Sequence, residues 1–433
     1  MSDDTLFETH PPADRGVSDG VPRYETANRQ QMALVPIDLE GLLPPGHAAR
    51  LVWRFVEGLD LRAFYATIQA REGHAGRAAI DPKILVALWL YATIDGVGSA
   101  REVDRLCYAH DAYRWIRGGV SVNYHTLSDF RVAHQGALDD LLTQSIAVLL
   151  WKGGVTLARV AQDGTRVRAH ASLKSFRRRP TLEDAVRVAR RQVDRTARQG
   201  AAHGARQAAA ATRATREHEE RIDAALAELP AVEAAKQRNG SKTAARASTT
   251  DPTARLMRFS DGGFRPGYNI QLASDVDGRA IVGVAVTNVG SDQGQLIPML
   301  AQIERRTGRR PEALLADGGF VTKDTVTRID EAGGTTLYAP VMQPKSPRDP
   351  GQPCVGDPPA VAAWRARMAT DTAKALYKRR APTAEGLNAE ACVHRTLGRV
   401  LVRGLAKVHS WALWVALAIN VLRAMEIVPH EMT

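Results

Sequence analysis

The stretch "ARVAQDGTRVRAH", residues 158–170, decides the fold. Its first half alternates small apolar and polar residues as a strand does. It then sets one carboxylate, Asp163, before a Gly-Thr pair that reads as a turn into a second short strand. A second lone acid closes "PEALLADGGF" (311–320), a short buried strand ending at Asp317. Two isolated strand-end acids in a chain with 58 Lys and Arg against 47 Asp and Glu raise the question of whether the fold joins them.

The 433 residues, 44% of them hydrophobic, suffice for two or more domains with cores of their own. The net charge of +11, carried mostly by arginine, favours an anionic polymer as partner, although a GC-rich coding bias yields the same balance. Three scattered cysteines (Cys107, Cys354, Cys392) suggest neither disulfides nor a zinc site and read as buried thiols. "MSDDTLFETHPPADRG" lacks the basic start of a signal peptide, and "WALWVALAINVL" (411–422) is read as too short to span a membrane. The expectation is a soluble cytoplasmic protein with no membrane contact.

Outward from the opening stretch, residues 1–35 read as a flexible leader and 36–150 as a helical N-terminal domain. In that domain Asp81-Pro82 and Ser99 mark helix starts. Residues 151–425 read as a mixed domain, with 426–433 as a tail. At about 174–250 the composition turns to Ala, Arg, Gln and Glu, which predicts a pair of long helices inserted between two strands. Arg177, Arg178 and Arg179 open that insertion, as a solvated helix start or as a DNA contact. After it come strands at 264–275 and 279–292 around an Asp277-Gly278 turn, a helix ending at Gly308, the Asp317 strand, a helix from Thr322, and the strand "TTLYAP". Residues 361 onward read as helical.

Setting the insertion aside, the order is strand, strand, strand, helix, strand, helix, strand, helix. That is an α/β class with the layout of the ribonuclease H fold, in which the first and fourth strands are neighbours. Asp163 and Asp317 would then share one sheet edge. Close carboxylates repel, and divalent cations remove the conflict. A pair of Mg²⁺ ions about 3.5–4 Å apart suits phosphodiester cleavage. A third acid is expected from the C-terminal helices, either Glu385 in "YKRRAPTAEGLNAEA" or Glu390.

The segments "DGT" (163–165), "STTDPTARLMR" (248–258), "GGFRPGYNIQLASD" (262–275), "TNVGSDQGQL" (287–296), "LADGGF" (315–320), "YKRRAPTAE" (377–385) and "RGLAKVHSWALWVALAINVLR" (403–423) together resemble the DDE transposases of bacterial insertion sequences. The resemblance covers roughly residues 30–425. It implies a catalytic, metal-holding triad of Asp163, Asp317 and Glu385 using Mg²⁺, with Mn²⁺ able to substitute. Tyr377 and Arg380 would position phosphate. The implied partners are element-end and target DNA, bound by a homodimer. The chemistry implied is end cleavage followed by attack of the freed 3′-OH on target DNA.

The sequence departs from the family signature at two points. Four residues rather than three separate Arg380 from Glu385, and Cys392 stands where a lysine is expected, with Arg395 or Arg399 as substitutes. Taken singly, the two Asp-Gly sites are ordinary turns and Tyr377 is a packing residue. Their order and spacing carry the resemblance. Two other readings stay open: a decayed transposase acting as a DNA-binding repressor, and a nuclease of the same fold without strand transfer.

Overall fold

The computed structural model describes residues 38–70, 78–199, 205–238, 240–342 and 351–427, with Met32, Pro36 and Asp349. The leader expected over 1–35, Met32 apart, and residues 428–433 of the expected tail lie outside the described residues. Among the described residues seven α-helices come first: α1 (Ala48–Glu57), α2 (Arg62–Tyr65), α3 (Pro82–Ile94), α4 (Ala100–Ala109), α5 (Asp111–Arg117), α6 (Tyr124–Ala133) and α7 (Gln135–Trp151). Asp81 caps α3 by accepting from the Lys83 amide, with Pro82 in the first turn, and Ser99 caps α4. Buried residues run right round α3, from Ile84 to Thr93 without a break, so it is a core helix and not an amphipathic surface one.

The strands are β1 (Arg159–Arg168), β2 (Phe176–Arg177), β3 (Ala247–Ser248), β4 (Arg255–Arg258), β5 (Phe264–Asp275), β6 (Ile281–Thr287), β7 (Ala313–Ala316) and β8 (Thr336–Tyr338). The main sheet runs β4-β5-β1-β7-β8, with β6 also on β5. β1 pairs antiparallel with β5 and parallel with β7, and β7 pairs parallel with β8. The chain is therefore an α/β protein built on a mixed sheet. Helices α10 (Leu296–Thr307) and α11 (Lys323–Ala332) make the parallel crossovers. β4, which the sequence reading did not separate, pairs with the outer part of β5.

One expectation fails at the opening stretch. Asp163-Gly164-Thr165 is not a turn: β1 continues unbroken to Arg168, because β5 is long enough to pair with it from Asp275 back to Gly267. Asp163 sits in the middle of the strand.

The insertion is a helical hairpin, α8 (Arg179–Gln199) and α9 (Ala205–Arg238), whose base is the small β2–β3 ladder. The C-terminal part is less continuously helical than expected. α12 (Pro359–Ala369), α13 (Asp371–Tyr377), α14 (Arg380–Ala389) and a π-helical turn (Glu390–His394) precede a non-helical stretch, and α15 (Leu405–Ile427) closes the chain.

The apolar stretch 411–422 belongs to α15, whose 23 residues are long and apolar enough to cross a membrane by length and composition. The stretch read as too short to span is thus part of a longer helix, and its reading as a buried helix holds. Most of α15 is buried inside the protein, between α3, α6, α7 and β6. Its polar groups face specific partners. Asn420 Oδ1 accepts from the Ile281 amide (2.7 Å), and its Nδ2 donates to the Ile281 carbonyl (2.9 Å) and to Ser145 Oγ (3.1 Å). The Arg131 guanidinium lies over the rings of Trp89 (4.4 Å) and Trp411 (4.2 Å) and donates to the Gly98 carbonyl. Burial pulls its pKa down to about 10, so it is still charged at neutral pH.

Two expectations follow. Asn420→Leu leaves the Ile281 edge of β6 and Ser145 without their partner. It should lower unfolding stability by roughly 2–4 kcal/mol in a urea titration. Of the three cysteines, only Cys107 is fully buried, its thiol pushed up to about 12, while Cys354 and Cys392 are half-buried. Iodoacetamide at pH 8 should therefore modify Cys107 only after denaturation, as read by peptide mass spectrometry.

Candidate active site

The parallel register of β1 and β7 ends at Gln162 opposite Ala316. One residue further along each strand stand Asp163 and Asp317, so the two acids follow neighbouring positions at the carboxyl end of β7. Asp317 is exposed and begins a short 3₁₀ turn, its Oδ1 accepting from the Gly318 amide (2.7 Å). Asp163 shares its side of β1 with Ala161, which packs with Leu315 and with Ala384 of α14. Its carboxylate is accordingly mostly buried, at 18% exposure.

Helix α14 supplies what surrounds that carboxylate. Arg380 Nη2 lies 3.0 Å from Asp163 Oδ1, and Asn388 Nδ2 donates to Oδ2 (3.2 Å). The Gly164 amide donates to Oδ1 (2.9 Å). The other terminal nitrogen of Arg380 is 3.8 Å from Glu385 Oε1, so one guanidinium stands between two of the sequence-selected acids. Arg380 is itself buried, whereas Glu385 is 66% exposed. Burial raises the Asp163 pKa. Arg380 and the Gly164 amide oppose that, and the charges of Asp292 and Asp317 add to it. Tyr377 is half-buried, and its phenol is raised by burial, against Arg380, with Asp317 and Asp163 raising it further. Asp163, Asp317, Tyr377 and Arg380 thus share one electrostatic neighbourhood.

Neighbouring residues have other engagements. Glu390, the rival third acid, is held by Arg423 (2.8 Å) and Arg395 (3.4 Å). Arg395 also donates to the Ile94 carbonyl, so its guanidinium is committed within the fold. Arg399 is exposed and pairs by its backbone with Arg168. Cys392 lies 3.8 Å from Thr165 Oγ1. The three arginines of the insertion stand at the base of the hairpin: Arg177 and Arg178 are exposed, and Arg179 binds Glu233 at 3.0 Å.

Asp292, Asn269, Gln271 and Asn388 were not singled out from sequence, and Gly164 was read only as part of a turn. Asp292 Oδ1 accepts from Asn269 Nδ2 and Gln271 Nε2, both at 2.7 Å, on the opposite side of β1 from α14. Gln271 in turn accepts from Gln162 (3.1 Å). The available signal was "YNIQLASD" (268–275), where two amides two residues apart interrupt an apolar strand. Buried amides in a sheet require partners.

The donor types here, carboxylates only, suit a hard divalent cation. Their arrangement does not fit one: among the described residues no group of three or more His, Cys, Asp or Glu gathers closely enough to hold a metal ion. At Asp163 the counter-charge is Arg380.

Gly164 is where the two sides of β1 meet. A Cβ there would lie 2.3 Å from Asp292 Oδ1, 2.4 Å from Gln271 Nε2 and 2.9 Å from Asn269 Oδ1. Gly164→Ala should therefore force this buried cluster apart and cost about 1–3 kcal/mol, read as a lower midpoint in chemical denaturation.

A family model described as a transposase DDE domain matches residues 359–425, and one described as a transposase domain (DUF772) matches residues 37–133. No curated protein and no solved structure matches the chain. The first match covers α12 to α15 and with them Tyr377, Arg380 and Glu385; the second covers α1 to α6. Two segments of the chain, one toward each end, are thus similar to transposase domains.

Proposed function

We propose that this chain is an insertion-sequence transposase. It would cut DNA at the ends of its element and join the freed 3′-OH to target DNA, with Asp163, Asp317 and Glu385 as its catalytic acids. The observation that carries the reading is the β1–β7 register, which brings Asp163 and Asp317 to successive positions on adjacent parallel strands, under a helix bearing Glu385. The strand order β6-β5-β1-β7-β8, antiparallel on one side of β1 and parallel on the other, supports a ribonuclease H-like arrangement with a helical insertion.

On this reading Arg380 and Tyr377 orient a phosphate, since a guanidinium fork binds phosphate as it binds carboxylate. Asn388 and the Gly164 amide fix the orientation of Asp163. Residues 36–150 hold the element ends, two copies bring two ends together, and the setting is the bacterial cytoplasm. Mg²⁺, or Mn²⁺, is the proposed cofactor on family chemistry. Because the acids are not gathered around one point, no step is assigned through it.

One observation favours a second reading, a decayed transposase that binds DNA without cutting it: Cys392 occupies the expected lysine position. A labelled duplex carrying the DNA that flanks the gene separates the two. Wild-type protein with Mg²⁺ or Mn²⁺ should nick at a defined boundary and yield joined products. Asp317→Asn should lower nicking by roughly a hundredfold or more while leaving binding intact, and chelator should abolish it. Binding without nicks in any metal would replace the transposase reading with the repressor one. Nicks without joined products would leave a nuclease.

A further inference from the structure

The inserted hairpin has two halves of different character. In the half nearer the sheet, arginines are matched by acids: Arg179 with Glu233 (3.0 Å), Arg190 with Glu219 (3.4 Å) and Asp223 (3.5 Å), and Arg255 of β4 with Glu228. The same half carries the apolar seam, in which Leu182, Val186 and Ala189 of α8 pack with Ile222, Ala225 and Leu229 of α9. Both features stop at the same level.

Beyond Ala189 and before Ile222, no described residue of the hairpin is buried. Between Asp194 and Glu217 the sequence holds five arginines (195, 198, 206, 213 and 216) and no acid. Arg195, Arg198, Arg213 and Arg216 are exposed, and among the described residues none of them meets a carboxylate. At 1.5 Å per residue, α8 carries this charge about 14 Å past the last ion pair across the hairpin.

Adjacent helices of like charge repel, and among the described residues neither a buried seam nor an ion pair offsets that here. The missing charge has to come from a partner. Protein interfaces need an apolar centre, and between Arg195 and Arg216 the sequence holds no apolar residue larger than alanine. A second copy of a chain with net charge +11 adds repulsion. Duplex DNA presents one negative charge per roughly 1.7 Å of axis and requires no apolar contact.

We propose that the distal half of the hairpin is a DNA-backbone arm, in which Arg195, Arg198, Arg213 and Arg216 bind phosphates without reading bases. The inference rests on the transposase reading for the presence of DNA and extends it to a surface distant in sequence from the catalytic acids.

The test uses the full chain and a variant with all four arginines changed to Gln, which keeps helix propensity. Anisotropy with the flanking-DNA duplex is followed from 50 to 300 mM salt. Every phosphate that no longer has an arginine on it should flatten the log–log salt slope by about 0.9, so the variant should show a slope shallower by roughly 2–4 and bind at least about tenfold more weakly at low salt. The matching Arg→Lys variant should keep the wild-type slope. Circular dichroism verifies that the helices persist. An unchanged slope with affinity within twofold overturns the arm. So does an unchanged slope accompanied by altered self-association in sedimentation, which would make the hairpin an interface between copies. If wild type nicks and the Gln variant matches its slope, the arm alone fails, whereas absence of any DNA binding by wild type removes the transposase reading as well.

Discussion

The ion pair between Asp163 and Arg380 is the constraint on which the site depends. Both side chains are largely withdrawn from water, at 18% and 10% exposure. Burying a carboxylate in the middle of a sheet is unfavourable unless a counter-charge and hydrogen bonds accompany it. Arg380, Asn388 and the Gly164 amide provide them, and two of the three come from one helix. The pair therefore does more than neutralise a charge. It fixes the side of β1 on which α14 lies, and with it the reach of Glu385 and Tyr377. A second ion pair at the same end, Arg379 with Asp277 (2.6 Å), ties the start of α14 to the turn between β5 and β6. Arg159 meets the same aspartate from β1 at 2.9 Å.

The position of the sheet within the molecule is set from its other side, by α15. This helix touches α3 and α6 of the N-terminal part, α7, and β6. An all-round apolar helix packs without directional preference, so its register must come from polar groups. Asn420 supplies it toward β6 and α7, and the Trp414 indole, donating to the Arg131 carbonyl (3.0 Å), supplies it toward α6. The segments matched by the two transposase family models lie at opposite ends of the chain yet meet here, in one continuous core. In physical terms the helical N-terminal part and the sheet are coupled through α15 and not by a linker.

Much of the fold was legible in local signals. The span of β5 was read as it stands, from "FRPGYNIQLASD", and the caps Asp81, Ser99 and Thr322 and the terminating Gly308 fall at the ends of their helices. What was missed depends on distant partners. "DGT" has the composition of a turn, and only the length of β5, more than a hundred residues away, keeps β1 extended through it. Glu385 and Glu390 are equivalent helix acids in sequence; what separates them is that Arg423, on α15, claims the second. Asp292 sits in a loop whose sequence resembles any polar connection, and its role against Gly164 exists only once β1 and β5 are paired. The insertion was recognisable by composition, but its division into a neutralised and an unneutralised half required the pairing of α8 with α9.

The same residue chemistry links the two regions where arginine dominates. At the sheet, Arg380 has a carboxylate partner whose geometry its guanidinium fork would equally satisfy with a phosphate. On the proposed reading, an arriving DNA backbone competes with Asp163 for this cation. Exchange of one anion for another costs Arg380 little, whereas Asp163 would be left buried beside the charges of Asp292 and Asp317. A buried carboxylate in that position either takes up a proton or attracts another cation. On that reading the charge state of Asp163 would depend on whether phosphate is present, a coupling that an apolar residue in place of Arg380 would not provide.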